Sequence, residues 1–177
     1  MGQYYYPVSI EKKEHVCSHD YGNGLKLMEH SYVGNNFMKV VERLISKGGR
    51  WFGDRIVWAG DYADNEVVDG VETTEKLYNI CDVNIKPDEV KSRKLRFLKN
   101  LDTNEYVDLN KVPVTDEKWA LQIHPLSLLT CEGNGRGGGD FRGEDPNGLI
   151  GKWARNRVVM QKTRPRSATE LIFDLIE

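Results

Sequence analysis

Backbone freedom and charge are concentrated in Gly133-Asn134-Gly135-Arg136-Gly137-Gly138-Gly139-Asp140. Glycine serves where φ must be positive or where something approaches the backbone closely. Consecutive bare N–H groups form nests for anions. Asn134, Arg136, Gly137, Asp140 and Arg142 are therefore candidate contact residues, with Glu144 and Asp145 beside them. The letters satisfy G-x-G-x-x-G at Gly133, Gly135 and Gly138, but a dinucleotide site needs a helix start directly after them. Gly139, Gly143, Pro146 and Gly148 forbid one, and there is no Walker A motif. Two readings stay open: a contact loop, and a structural loop in which Asp140 and Arg142 cap and pair internally.

The second candidate is acidic. Asp61, Asp64, Glu66 and Asp69 begin a run, Asp61 to Val90, that carries nine acids against Lys76 and Lys86. Carboxylates at this spacing accept from a partner's arginine or bind a cation. Turn formers that bond nearby amides are the structural alternative. Tyr4, Tyr5 and Tyr6 cannot all face inward on a strand, so Tyr5 or a neighbour is expected at the surface as an aromatic contact. The histidines are His15, His19, His30 and His124, with His19 and His124 in similar places of the chain. No HExxH and no serine or cysteine nucleophile motif accompanies them. The residues point to binding rather than catalysis, with no metal and no cofactor expected.

The elements that position these residues are legible in part. Tyr4 to Ile10 reads as a strand, with Pro7 at an edge or bulge, and Glu14 to Ser18 as its return. Asn35-Asn36 can cap a helix whose apolar face is Phe37, Val40, Val41, Leu44 and Ile45, ended by Gly48-Gly49. Trp51 to Trp58 and Trp153 to Met160 read as strands. Thr73 to Cys81 reads as a short helix, and Lys94 to Lys99 with Glu105 to Leu109 as a hairpin. Ser167 can cap a last helix over 167–176 with Leu171, Ile172, Leu175 and Ile176 on one face.

Two stretches resemble each other. Glu14-His15-Val16, Leu27-Met28, Gly34-Asn35, Trp51 and Arg55-Ile56-Val57 match Glu105-Tyr106-Val107, Leu128-Leu129, Gly133-Asn134, Trp153 and Arg157-Val158-Val159. The expectation is an internal repeat, 4–62 and 94–162. Each half is read as a hairpin, a short strand, a connection and a Trp-led strand. The connection is a helix in the first half and the glycine loop in the second. A half of about 60 residues is marginal alone, so both pack into one domain over 1–177.

Composition sets the outer bounds. The chain has 177 residues, 39% hydrophobic and 29% charged, with a net charge of −2, which excludes a disordered chain. No apolar run approaches the roughly 20 residues of a spanning helix, and the start lacks a secretory h-region, so no membrane partner and a cytoplasmic location are expected. Cys17, Cys81 and Cys131 are odd in number and far apart, which suits a reduced compartment. Charge is segregated: Lys91 to Lys99 holds five cations and Lys152 to Arg166 six, neither with an acid. Such blocks make separate acidic and basic patches, the basic ones available to nucleic acid.

Met1-Gly2-Gln3-Tyr4-Tyr5, Gly60-Asp61-Tyr62-Ala63-Asp64 and Gly133 to Asp140, in that order, resemble a family of small proteins of Firmicutes, their phages and mobile elements. Through it the chain looks similar to anti-CRISPR inhibitors of the type II RNA-guided nuclease. One departure stands out: Ala154-Arg155-Asn156 follows the second tryptophan where the family has Ala-Gly-Asp. The resemblance implies a non-enzymatic inhibitor whose partner is a CRISPR effector nuclease with its guide RNA. The alternative is a protein that binds or hydrolyses a nucleotide or other phosphate ligand through the glycine-rich loop. The expected fold class is α+β, mostly antiparallel sheet, with two similar halves and few helices.

Overall fold

A computed structural model describes residues 2–91, 94–116, 118–133 and 141–177. The first half runs β1 (Tyr5–Ser9), β2 (Glu14–His15), a 3-10 turn (Ser18–Tyr21), α1 (Leu27–His30), α2 (Asn36–Leu44) and β3 (Ile56–Gly60). A connecting region follows, with β4 (Val67–Val68), β5 (Val71–Glu72), α3 (Leu77–Ile80) and β6 (Val83–Asn84). The second half runs β7 (Phe97–Asn100), β8 (Glu105–Asp108), a 3-10 turn (Leu109–Lys111), β9 (Val114–Asp116), β10 (Leu121–Gln122), α4 (Pro125–Thr130), β11 (Cys131–Glu132), β12 (Val158–Gln161) and β13 (Thr169–Glu170). Among the described residues six of the nine strand pairings are antiparallel, and the few helices are short, so the fold is α+β.

Helix α2 forms as its sequence predicts. The Asn35 side chain accepts from the N–H groups of Phe37 and Met38, and Phe37, Val40, Val41 and Leu44 are buried.

The main sheet has the order β11-β3-β1-β2-β6 and the second β12-β7-β8-β13. Within them β3-β1-β2-β6 and β12-β7-β8-β13 share order and sense, since β6 and β13 both run parallel to the second hairpin strand. The registers also agree. Ser9 faces Glu14 and Ile56, while Asn100 faces Glu105 and Val158. Lys13 (φ 53°) and Asn104 (φ 56°) sit left-handed at the same corner of each hairpin. The Trp51 N–H donates to Leu44 O and its indole to Glu14 Oε2 at 2.9 Å. The Trp153 N–H donates to Leu129 O and its indole to Glu105 Oε2 at 3.0 Å. Arg55 pairs with Glu11, and Arg157 with Asp102, each through backbone N–H and guanidinium.

The two halves of the chain also exchange backbone contacts. β11 pairs parallel with β3, Ser46 bridges Met160 in parallel, and Arg55 bridges Arg157 antiparallel. One apolar core, from Tyr5, Phe37 and Trp58 to Leu98, Trp153 and Leu175, runs through both.

Several expectations are corrected. The C-terminal helix over 167–176 is absent: Thr169–Glu170 is a strand, and Leu171–Glu177 runs without regular structure. The deciding pattern is alternation, because Phe173 and Leu175 are buried while Ile172 and Ile176 are exposed, and a period of two belongs to extended chain. Trp51 and Trp153 do not lead strands. Each sits in a turn five residues ahead of one, closed by Gly53 (φ 82°) or Arg155 (φ 66°). The short strand expected at Leu27-Met28 and Leu128-Leu129 is helix in both halves. The second strand ends at His15, not Ser18. Tyr5, offered as an exposed contact, is fully buried. Its ring lies across from Gly60, which leaves room for it, and Tyr4 takes the exposed position instead.

Candidate functional site

The three motifs, far apart in sequence, meet at one end of the β11-β3-β1 edge. β1 brings Gln3 and Tyr5, β3 ends in Gly60, and β11 leads to Gly133. A Cβ on Gly60 would lie 2.7 Å from Gln3 Oε1 and 2.8 Å from Glu132 O. A Cβ on Gly133 would lie 2.8 Å from Tyr5 Oη and 2.9 Å from Gln3 Oε1. Both glycines are thus required by close approach. Tyr4 and Asp61 then lock the corner: the Tyr4 N–H donates to Asp61 Oδ1 at 3.0 Å, and the Asp61 N–H donates to Tyr4 O at 3.0 Å.

Beside this junction lies a cavity of about 380 Å³ lined by residues 63–66, 131–133, Ile150 and Arg155. Arg155 spans its wall, bidentate to Glu66 and to Glu132. Glu66 is held below the ordinary carboxylate range, chiefly by its bonds to Arg155. The Arg155 guanidinium is pushed up by Glu66 first and Glu132 second. With Asp64 exposed and unpaired among the described residues, the four groups sum to −2, from three carboxylates and one guanidinium. Gln3 is 2% exposed, and its Oε1 has no hydrogen-bond partner among the described residues. A buried acceptor left unmade costs about 1–3 kcal/mol.

From the cavity rim projects the β4–β5 hairpin. Asp69 (φ 52°) and Gly70 (φ 78°) form its two-residue turn, the geometry that favours Asp-Gly. Val67, Val68 and Val71 are 63%, 57% and 67% exposed. Asp69, Glu72 and Glu75, in and after this hairpin, are without a cationic partner among the described residues.

The predicted site residues divide accordingly. Asp64 and Asp69 are exposed and without an ion pair among the described residues, whereas Asp61 closes the motif corner and Glu66 is committed to Arg155. Asn134, Arg136, Gly137 and Asp140 lie outside the described residues. Arg142 is exposed, and its N–H donates to Glu177 Oε1. Gln3, Glu72, Glu75, Glu132 and Arg155 were not singled out as contacts by sequence, although Arg155 was marked by its departure from the family pattern.

His19 and His124 do not correspond. His19 is exposed on a 3-10 turn. His124 is buried and caps α4, its Nδ1 accepting from the Leu126 N–H and its Nε2 lying 2.9 Å from Glu42 Oε1. Burial pushes the Cys81 thiol up to about 11, which suits an inert core residue. Among the described residues no group of three His, Cys, Asp or Glu is placed to hold a metal, and no helix is long and apolar enough to cross a membrane. No protein-family model, curated protein or solved structure matches this chain, so the site rests on its own geometry.

Proposed function

We propose that the chain is a non-enzymatic binding protein of mobile-element origin that inhibits a type II CRISPR effector nuclease in the host cytoplasm. The motif resemblance suggests the partner. The observation that carries the contact surface is the β4–β5 hairpin, where exposed Val68 and Val71 share one face and Val67 and Glu72 the other, with exposed Asp64, Asp69 and Glu75 next to it in the chain. Exposed apolar area rimmed by charge marks an interaction site. Carboxylates of this density complement a channel built for phosphates. The basic segments lie side by side because β12 pairs with β7; Arg96, Arg155, Arg157 and Arg164 are held by carboxylates, and we assign the lysines of the segments to the guide RNA of the same complex. The phosphate reading of the glycine-rich motif is the weaker one, since Glu66, Glu132 and Asp64 around Gly133 repel an anion. We further propose that the matched sheets descend from an internal duplication; the shared order and register support it.

The test uses purified effector with guide RNA and a DNA target. The protein is expected to block cleavage, and the block to weaken as salt rises, because the contacts are exposed. Asp64→Lys, Glu72→Lys and Glu75→Lys together with Asp69→Asn, which keeps a residue tolerant of positive φ, are expected to weaken inhibition by about tenfold or more. An equal block by the folded variant, judged by its melting temperature, removes the hairpin as the contact. No inhibition of any type II effector by the unaltered protein removes the partner.

A further inference from the structure

On another face, α2 crosses the β7–β12 end of the second sheet and leaves a cavity of about 460 Å³. The charged part of its wall comes from three places in the chain. α2 supplies Lys39 and Glu42, three positions apart and therefore on one face. The approach to β7 supplies Lys94 and Arg96, and the exit of β12 supplies Lys162. The register that pairs Phe97 with Gln161 brings these together, with the Arg96 N–H donating to Gln161 O at 3.1 Å.

Charge in this basin is unbalanced. Arg96 is bidentate to Asp108, at 2.8 and 2.7 Å. Lys39, Lys94 and Lys162 have no carboxylate partner among the described residues. Glu42 does not pair with Lys39, since its Oε1 is turned to the buried His124. Four cations against Glu42 and Asp108 leave +2 in one concavity. The volume is in the range that encloses a small organic ligand, roughly 300–1,000 Å³.

We infer that this basin binds phosphate groups of a nucleotide, with Lys39, Lys94 and Lys162 taking the phosphate oxygens. Lysine suits the task as a rotatable point charge with three donors. Glu42, fixed by His124, supplies an acceptor at the wall for a hydroxyl or an exocyclic amine, and Gln122 and Asn110 add neutral polar groups. The phosphate comes either from a free nucleotide or from a nucleic-acid strand, the strand arm resting on the guide-RNA contact proposed above, and the two are separable by experiment.

The full-length protein is titrated at low salt with pyrophosphate, with a nucleoside triphosphate, and with single-stranded RNA of two lengths. Saturable binding is expected, weakened by about tenfold or more in Lys39→Gln/Lys94→Gln/Lys162→Gln. A control, Lys13→Gln/Lys47→Gln/Lys152→Gln, removes the same charge from exposed sites elsewhere and is expected to bind as the parent does. Tighter binding of the triphosphate than of pyrophosphate, with no gain from RNA length, identifies a free nucleotide, and equal binding of the two refutes the nucleoside contacts. Affinity and salt slope that grow with RNA length, still lost in the basin variant, identify a strand. No binding of any probe overturns the inference. So does a control variant that weakens binding as much as the basin variant.

Discussion

Arg155 holds a left-handed backbone, φ 66°, where a glycine would be unstrained. Its side chain explains the choice, for it ties Glu66 of the connecting region to Glu132 of β11 and so holds one wall of the cavity. His30 makes the opposite use of burial. Its Nδ1 bonds Gly24 O, and its Nε2 accepts from the Trp58 indole at 3.0 Å, which fixes a neutral ring. Desolvation lowers its pKa from 6.5 to about 4. The unfolded chain therefore binds a proton that the folded chain refuses between those values. The His30 contribution is complete above pH 6.5 and is lost as pH falls toward 4, to a limit of about 3 kcal/mol. Denaturant unfolding measured from pH 7 to 4.5 is expected to show this loss, and His30→Gln to flatten it. A His30 ring signal that titrates near 6.5 in the folded protein refutes the assignment.

At the scale of elements, the two hairpins and their tryptophan turns repeat one arrangement with different residues. Glu14 accepts from Trp51 and from Arg50, and Glu105 accepts from Trp153 and from Thr103. An indole donating to a carboxylate contributes about 1.5–3 kcal/mol. Trp51→Phe and Trp153→Phe are each expected to lower stability by about 2 kcal/mol in urea unfolding, with the midpoint moving at an unchanged slope. A Trp153→Phe protein as stable as the parent shows that the matching turns do not carry matching energy. The hairpin β4–β5, like β9–β10, pairs only with itself, and its valines stay exposed.

For the whole molecule, the exchange between sheets decides cooperativity. β11 is an edge strand of the first half's sheet although it follows α4, and Ser46 after α2 bridges β12 of the other. The first half's sheet lacks its β11 edge without the second half, and the core draws on both. Fragments 1–91 and 92–177 are each expected to lack a cooperative thermal transition by circular dichroism, and an equimolar mixture to regain it. A cooperative transition in either fragment alone refutes this interdependence.

Much of this arrangement is local and therefore legible in the chain. The α2 helix follows from Asn35 and its apolar spacing, the β7–β8 hairpin from the Leu101–Asn104 turn, and the paired tryptophans from the matched Gly49–Val57 and Gly151–Val159 segments. The acidic and basic blocks are also composition read directly. What sequence misjudged were side-chain directions and partners. Tyr5 is inward because Gly60 makes room for it, Glu66 is occupied because Arg155 reaches it across 89 positions, and the C-terminal segment is extended because Phe173 and Leu175 find the core. These depend on contacts between residues distant in the chain, which no local spacing encodes. The meeting of Gln3, Gly60 and Gly133 is of the same kind: the motifs are visible one by one, and only the β11-β3-β1 pairing makes them a single site.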